Sequence, residues 1–291
     1  MAHPTLEMDR LLSPRGSPGM IEVRGKEGGY DFEVWTEPPC IYLDHWALRR
    51  LSEDDAQGDR FISALKQRGT LMFSVMNVAE IGADASHRRS QQVRDFLRRI
   101  GLRWFPMTID PLRVIRAEEE DAPSGKLHCA SPEFLTDPAF AAKLLCGPLS
   151  LAHVIDLTAG RGGDCLRRVT ECKTTQLLEE LQRWRSLYRQ EPEALDAQYP
   201  PLKFNANTPM RGIYNGLVRY TIKDTFPLDL NHMRDFCHAT VSLRCADMVT
   251  LDSHWAAQAK KLHLPDGFVK VYSEPDLSNF LSHLEAASAT S

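Results

Sequence analysis

Short apolar runs alternate with longer amphipathic segments over much of the chain. In the first half, CIYLD, LMFS and LRWFP have the length and apolar character of buried strands. The helical patterns beside them are WALRRLSEDDAQGDRFISALKQRG, interrupted near Gly58, then NVAEIGADAS, RRSQQVRDFLRRIG and DPLRVIRAEEE. Because parallel strands need long crossover connections, this order predicts βαβ units and a parallel sheet.

The same alternation returns near the end of the chain. DMVTL and GFVKVY have strand patterns, and NHMRDFCHATVSLRC, HWAAQAKKLHL and EPDLSNFLSHLEAAS have helical ones. The middle of the chain differs, because helical stretches such as TQLLEELQRWRSLYRQ alternate there with Pro-rich breaks. We therefore expect an N-terminal arm (1–39), a first α/β part (40–120), a mostly helical insertion (121–228) and a second α/β part (229–291).

The expected fold class is α/β, a three-layer α/β/α sandwich with a mostly parallel central sheet. The first 39 residues contain several prolines and a Gly-rich stretch, which favours an irregular or loosely packed arm. With 43% hydrophobic and 25% charged residues among 291, the composition excludes a disordered or fibrous chain.

Composition also constrains location and partners. No apolar run approaches the roughly 20 residues of a membrane span, and the start MAHPTLEMDR lacks the core of a signal peptide, so we expect a cytoplasmic protein with no membrane partner. Seven cysteines without a C-x-x-C pair predict reduced, mostly buried thiols. Since 35 basic and 39 acidic residues give a net charge of −4, any contact with nucleic acid must be local.

Acidic residues stand where an α/β fold places its chemistry. Asp44 closes the first strand, Glu80 lies on the helix after the second, and Asp235 is in the first part of the helix that restarts the α/β pattern. Asp252 closes the DMVTL strand and Asp247 stands at its start. Ligands of open parallel sheets bind outside the carboxyl ends of the strands, so Asp44 and Asp252 are expected to face one crevice.

A cluster of this kind points to a metal. Each acid alone is more often a helix cap or a solvated side chain. Together, however, clustered carboxylates repel one another, and a hard divalent cation such as Mg²⁺ or Mn²⁺ offsets that repulsion. A metal held in this way activates water for attack on a phosphodiester.

The segments around these acids, IYLDHWAL, FSVMNVAEI, RDFCHATVSL and DMVTLDSHWA, resemble in their order the PIN-domain superfamily of metal-dependent ribonucleases. The resemblance covers roughly 40–115 and 228–285. It implies an α/β/α sandwich and three or four acids that hold Mg²⁺ or Mn²⁺. His45 and Trp46 after the first acid, and the long helical segment before the third, depart from the family pattern. The matching positions are Asp44, Ser74 with Glu80, Asp235, and Thr250 with Asp252, and Asp247 is an additional candidate ligand.

The leading hypothesis is therefore a metal-dependent nuclease, an RNA endonuclease acting on single-stranded or structured RNA. A protein inhibitor or partner and a homodimer stay open. An arginine-rich helix, HRRSQQVRDFLRRIG, could follow phosphates, although such faces are usually solvated and Asp95 offers local pairing. The catalytic candidates are Asp44, Glu80, Asp235 and Asp252, and the weaker substrate-binding candidates are His45, Arg94 and Arg98.

Two alternatives remain. A non-catalytic PIN-like module that binds nucleic acid or protein has the same fold. The segment HVIDLTAGRGGDCLRR resembles the first motif of S-adenosylmethionine-dependent methyltransferases, with a strand ending in Asp156 before Gly160, Gly162 and Gly163. A helical pattern follows instead of a second strand, which favours a chance match or a helix–turn–helix. We interpret His238, His254 and His263 as packing or surface histidines.

Overall fold

The computed structural model describes residues 21–26, 29–83, 87–120, 129–131, 149–158, 161–201 and 203–289. The fold is α/β, built around a five-stranded sheet in which all neighbouring strands are parallel. The strand order is β5-β4-β3-β6-β7. These strands are β3 (Cys40–Tyr42), β4 (Thr70–Ser74), β5 (Trp104–Met107), β6 (Met248–Thr250) and β7 (Lys270–Tyr272).

Helices make the crossovers between these strands. They are α1 (His45–Glu53), α2 (Asp55–Gln67), α3 (Val75–Ala83), α4 (His87–Arg98), α5 (Pro111–Glu120), α6 (Leu151–Thr158), α7 (Arg161–Tyr188), α8 (Pro192–Gln198), α9 (Pro209–Lys223), α10 (Leu230–Cys245), α11 (Ser253–Lys260) and α12 (Leu277–Ala289). The break between α1 and α2 falls at Asp54, which caps α2 by accepting from the Gln57 amide, and Gly58 lies inside α2.

Helices cover both faces of the sheet. From β3 the chain runs outward through β4 to β5, and from β6 it runs the opposite way to β7. Right-handed crossovers in opposite directions place their helices on opposite faces. Accordingly α1 packs on α2 and α4 and α12 packs on α2, whereas α10 packs on α7, α9 and α11. The strand order reverses between β3 and β6, which is where an open parallel sheet forms its crevice.

The central strands are buried throughout. Every residue of β3, β4, β5 and β6 is buried. A parallel sheet covered on both faces needs such continuous apolar strands, so the short apolar runs of the sequence are explained by this packing.

The N-terminal segment contains a β-hairpin. Strands β1 (Ile21–Lys26) and β2 (Gly29–Val34) are antiparallel, and Ile21 pairs with Val34. The prediction of an irregular arm is therefore wrong for residues 21–34, while residues 1–20 lie outside the described part. Alternating apolar positions in IEVRGK and GYDFEV carried the signal that the glycines obscured.

The described parts of 121–228 are largely helical. They comprise α6 to α9 and an isolated bridge between Met107 and Ala130. Met210, Ile213 and Leu217 of α9 are fully buried. Since α9 packs on α5 and α10, these helices share one core with the α/β part.

One cysteine pair corrects the expectation of reduced thiols. Cys129 and Cys245, 116 residues apart, form a disulfide. Cys40 and Cys237 are buried and Cys172 is exposed, and these three form no disulfide, while the side chains of Cys146 and Cys165 lie outside the described part. The predicted absence of disulfides is wrong for this pair, because no local spacing reveals a contact across 116 residues.

Within the described ranges, no helix combines the length and the apolar character that a bilayer crossing requires.

A buried carboxylate joins three helices. Glu118 of α5 is 3% exposed, accepts from the Met210 amide at 3.0 Å and pairs with Arg244 of α10.

Removing one partner of such a pair leaves a buried charge, so Glu118→Ala is expected to lower the free energy of unfolding by about 3 kcal/mol or more. Urea unfolding measures this loss. The matched control is Glu119→Ala, which removes an exposed pair with Arg211 and should cost less than about 1 kcal/mol. Equal losses would contradict the assignment.

Candidate functional site

Two strand ends present equivalent aspartates at the sheet crevice. Asp44 follows β3 and caps α1, accepting from the His45 amide at 2.8 Å. Asp252 follows β6 and caps α11, accepting from the Trp255 amide at 2.8 Å. The Asp44 amide donates to Thr250 Oγ1 at 3.0 Å and so ties the two strand ends together. The capping bonds use Oδ1 of each carboxylate and fix where both side chains lie.

The other two predicted acids reach the same place from different helices. Glu80 lies on α3, after β4, and Asp235 lies on α10. The negative charge of Asp44 raises the pKa of both Glu80 and Asp235. Asp252 raises the pKa of Asp44 and of Asp235. The structure therefore brings the four predicted acids into one electrostatic cluster, which we call the acid cluster.

Burial is the largest cause of the pKa shifts in the acid cluster. Desolvation, with the neighbouring carboxylates, raises the pKa of Asp44 to about 7 and that of Asp235 to about 7. The pKa of Glu80 is raised well above its usual range for the same reasons. All four residues are partly exposed rather than fully buried. At neutral pH the cluster therefore holds protons that isolated carboxylates would have lost.

Arg234 is a basic neighbour that the sequence reasoning missed. Its charge lowers the pKa of Glu80 and of Asp235, although burial outweighs it in both. The guanidinium donates to Asn231 Oδ1 at 2.9 Å and lies 3.8 Å from Glu171. Its position directly before Asp235 was the only local signal.

A group of buried neutral polar side chains lies near the acids. Ser74 Oγ lies 2.9 Å from His238 Nε2 and 3.0 Å from Asn77 Oδ1, and the His238 ring lies 5.5 Å from that of Tyr42. Burial lowers the pKa of His238 to about 3, so this imidazole stays neutral. Burial, followed by the charges of Asp44 and Glu80, raises the pKa of Tyr42. Sequence patterns gave His238 only a packing role.

Several buried polar atoms in this region make no hydrogen bond. Glu80 Oε2 is one of them, together with His238 Nδ1. Buried polar atoms without partners are rare in folded proteins and call for a ligand or water. The orphaned oxygen of Glu80 is therefore the structural feature that best fits a cation.

The ligand types fit a hard divalent cation, but the acids are too far apart in this structure to bind one ion together. Carboxylate oxygens are the ligands that Mg²⁺ and Mn²⁺ prefer, and a double positive charge offsets the repulsion among the acids. Across the residues that the structure describes, no three Asp, Glu, His or Cys side chains stand close enough together to ligate one ion. Ligation of one ion by three of the acids therefore requires a change of side-chain rotamers.

Asp247 does not belong to the acid cluster. It precedes β6, and its Oδ2 accepts from the amide of Cys40 at 2.6 Å, at the start of β3. Since parallel strands run in one direction, this is the amino edge of the sheet, opposite Asp44 and Asp252. At roughly 3.3 Å per residue, Asp247 and Asp252 are about 16 Å apart along the chain. The structure therefore does not bring Asp247, predicted as an additional metal ligand, together with the other four acids, because the strand separates it from them.

The weaker substrate-binding candidates lie in different surroundings. His45 begins α1, and its backbone amide donates to Asp44 of the acid cluster. Arg98 of α4 is engaged elsewhere, with Asp95 at 2.7 Å and Asp156 at 3.2 Å. Arg94 of the same helix is partly buried, with its Nε making no hydrogen bond. The exposed pairing of Arg98 agrees with a solvated helix face.

The glycine-rich segment does not form a methyltransferase motif. His153 and Asp156 lie in helix α6, where that motif needs a strand. Gly162 and Gly163 lie in α7, and Gly160 is outside the described residues. The helix–turn–helix alternative therefore agrees with the two helices, α6 and α7.

Comparison with known proteins adds no relative, since no family model, curated protein or solved structure matches this chain.

Proposed function

We propose that this chain is a PIN-like, divalent-metal-dependent nuclease that cleaves RNA internally. The acid cluster at the switch between β3 and β6 carries the proposal. Its four carboxylates come from separate parts of the chain, and their charges interact with one another. The ordered acidic motifs of the sequence support the same family and RNA as the substrate.

The four acids would hold Mg²⁺ or Mn²⁺, directly or through water. When bound, the metal supplies an activated water and stabilises the leaving oxygen of the phosphodiester. Asp44 and Asp252 are the fixed members, since each carboxylate caps the N-terminus of a helix. Glu80 and Asp235 are the adjustable members. Without metal, protons shared within the cluster replace the cation charge, so metal binding should release protons and strengthen with pH.

The direct test is cleavage of single-stranded RNA with Mn²⁺ or Mg²⁺ and without either. Asp44→Asn keeps the cap of α1 but removes a ligand charge, and should lower the cleavage rate at least about 100-fold, or about 3 kcal/mol. Asp247→Asn is the matched control at the other edge of the sheet and should leave the rate unchanged. Full activity in Asp44→Asn, or equal loss in both variants, contradicts the proposal.

A second candidate is a non-catalytic PIN-like module that binds nucleic acid or protein. The separation of the ligand groups favours it, because no three of the described candidates are arranged for one ion. Calorimetric titration separates the two functions. Heat of binding at or below millimolar Mg²⁺ or Mn²⁺ supports the nuclease, and its absence supports the module.

A further inference from the structure

A strongly exposed aromatic ring lies close in sequence to Asp235 of the acid cluster. Phe226 is 50% exposed and Leu112 is 42% exposed, and these are the two strongly exposed large hydrophobic side chains in the described ranges. Phe226 lies in the connection from α9 to α10, the helix that carries Asp235. A large apolar ring that folding leaves in water is a candidate contact for a ligand.

The backbone of Phe226 is held from two sides. Its amide donates to Asp224 Oδ1 at 3.1 Å, and its carbonyl accepts from Arg185 Nη1 of α7 at 2.6 Å. Arg185 also donates to the Thr221 carbonyl at the end of α9. The ring is therefore presented from a fixed connection, which reduces the ordering cost of binding.

Two imidazoles support one side of the ring. The centroids of His232 and His254 lie 5.2 and 5.1 Å from that of Phe226, with interplanar angles of 29° and 32°. The two histidines are 5.3 Å apart, so the three separations are nearly equal. Imidazoles on opposite faces of the phenyl would lie much farther from each other, so both occupy the same side. Exposure of Phe226 therefore comes from its other side.

The supporting histidines connect the ring to the acids. His232 precedes Asp235 by three residues on α10, a spacing that makes them neighbours on the helix surface. His254 follows Asp252 by two residues in the first turn of α11. Burial, and then the charges of His254 and Arg185, lower the pKa of His232.

We propose that Phe226 is a stacking platform for one unpaired nucleobase of the RNA whose phosphate is held at the acid cluster. The inference rests on the proposed nuclease function and adds a preference for single strands, since paired bases already stack within a duplex. A cluster of carboxylates repels phosphate, whereas base stacking on an aromatic ring does not depend on charge. Phe226 thus supplies affinity where electrostatics opposes it.

The test measures binding of single-stranded RNA of about twelve nucleotides, fluorescein-labelled, to the full chain by anisotropy, in EDTA and again in Ca²⁺. Phe226→Ala should weaken binding about 5- to 150-fold, whereas Phe226→Tyr should retain it. Leu112→Ala is the matched control, since it removes the other exposed hydrophobic residue, and should bind like wild type. Urea unfolding of each variant verifies that the fold is retained.

A second arm uses RNAs with one abasic position moved along the strand. In the wild type, one abasic position should weaken binding as much as Phe226→Ala does, and that position should have no further effect in Phe226→Ala. Loss that is the same at every position, or unchanged RNA binding in Phe226→Ala, overturns the platform. Unchanged RNA binding in Phe226→Ala would instead indicate that the exposed ring contacts a protein partner.

The two proposals fail separately. If cleavage depends on Asp44, but Phe226→Ala binds RNA as tightly and cleaves it as fast as wild type, the platform is overturned and the nuclease proposal stands. Position-specific coupling without cleavage in any metal supports the platform and overturns the nuclease. No RNA binding by the wild type in either buffer overturns both.

Discussion

Without divalent metal, lowering the pH from about 8 to about 5 should increase the free energy of unfolding. Carboxylates that are ion-paired in the folded state act in the opposite direction, because their pKa is lowered and their contribution to stability is lost as the pH falls below about 5. Here burial, with the charge of Asp252, raises the pKa of Asp44 to about 7, and burial, with the charges of Asp44 and Asp252, raises that of Asp235 to about 7, against 3.8 for a free aspartate. An acid whose pKa is raised on folding contributes full stability below its unfolded pKa, and that contribution is lost as the pH rises through the folded pKa. The gain should therefore develop between about pH 7 and pH 4.

Chemical denaturation in EDTA at a series of pH values measures this dependence. Because the acids interact, they titrate as a set rather than one by one. The double variant Asp44→Asn/Asp235→Asn should gain less stability than wild type over the same range, because Glu80 is then the remaining cluster acid whose pKa burial raises. A wild-type protein that loses stability steadily from pH 8 to pH 5 would show that the cluster does not carry the expected charge repulsion.

Neutralising Asp44 should stabilise the metal-free protein while it abolishes cleavage. At pH 8 the carboxylate is ionised, and a pKa of about 7 in place of 3.8 corresponds to a cost on the order of 4 kcal/mol. Asn caps a helix as well as Asp does, so Asp44→Asn removes the charge and retains the bond to the His45 amide. The expected result is a higher midpoint of urea unfolding in EDTA.

Asp54→Asn is the matched control, because Asp54 caps α2 through the Gln57 amide as Asp44 caps α1. This variant should unfold within about 0.5 kcal/mol of wild type. Added Mn²⁺ should raise the melting temperature of wild type and of Asp54→Asn, but not of Asp44→Asn. A destabilised Asp44→Asn would mean that its carboxylate stabilises the fold, and the trade of stability for chemistry at this position would be refuted.

Local sequence signals were sufficient for the sheet and for the acids at its carboxyl edge. The runs around Ile41, Leu71, Trp104 and Val249 are buried strands, since short apolar stretches between amphipathic helices have few other solutions. Asp44 and Asp252 follow two of those strands, and parallel topology alone sends both to one edge. The place of Glu80 and Asp235 in the same set was implied by the resemblance of the motif order to the PIN-domain superfamily.

Features that depend on long-range pairing were not accessible. Asp247 was predicted as a ligand because it is near Asp252 in sequence, although a single strand carries the chain across the sheet between them. The contact of His238 with Ser74 spans 164 residues, and no pattern at either end reveals it. The exposure of Phe226 arises because two histidines from different helices fill only one side of its ring.

The bond between Cys129 and Cys245, which are 116 positions apart, closes the middle of the chain into a covalent ring that includes α6 to α10. A single proteolytic cut anywhere between these two cysteines would leave the polypeptide in one piece until a reductant is added. Asp235 sits inside that ring, and Asp44, Glu80 and Asp252 sit outside it. The ring thus ties the third acid to the rest of the chain by a second route, independent of the backbone.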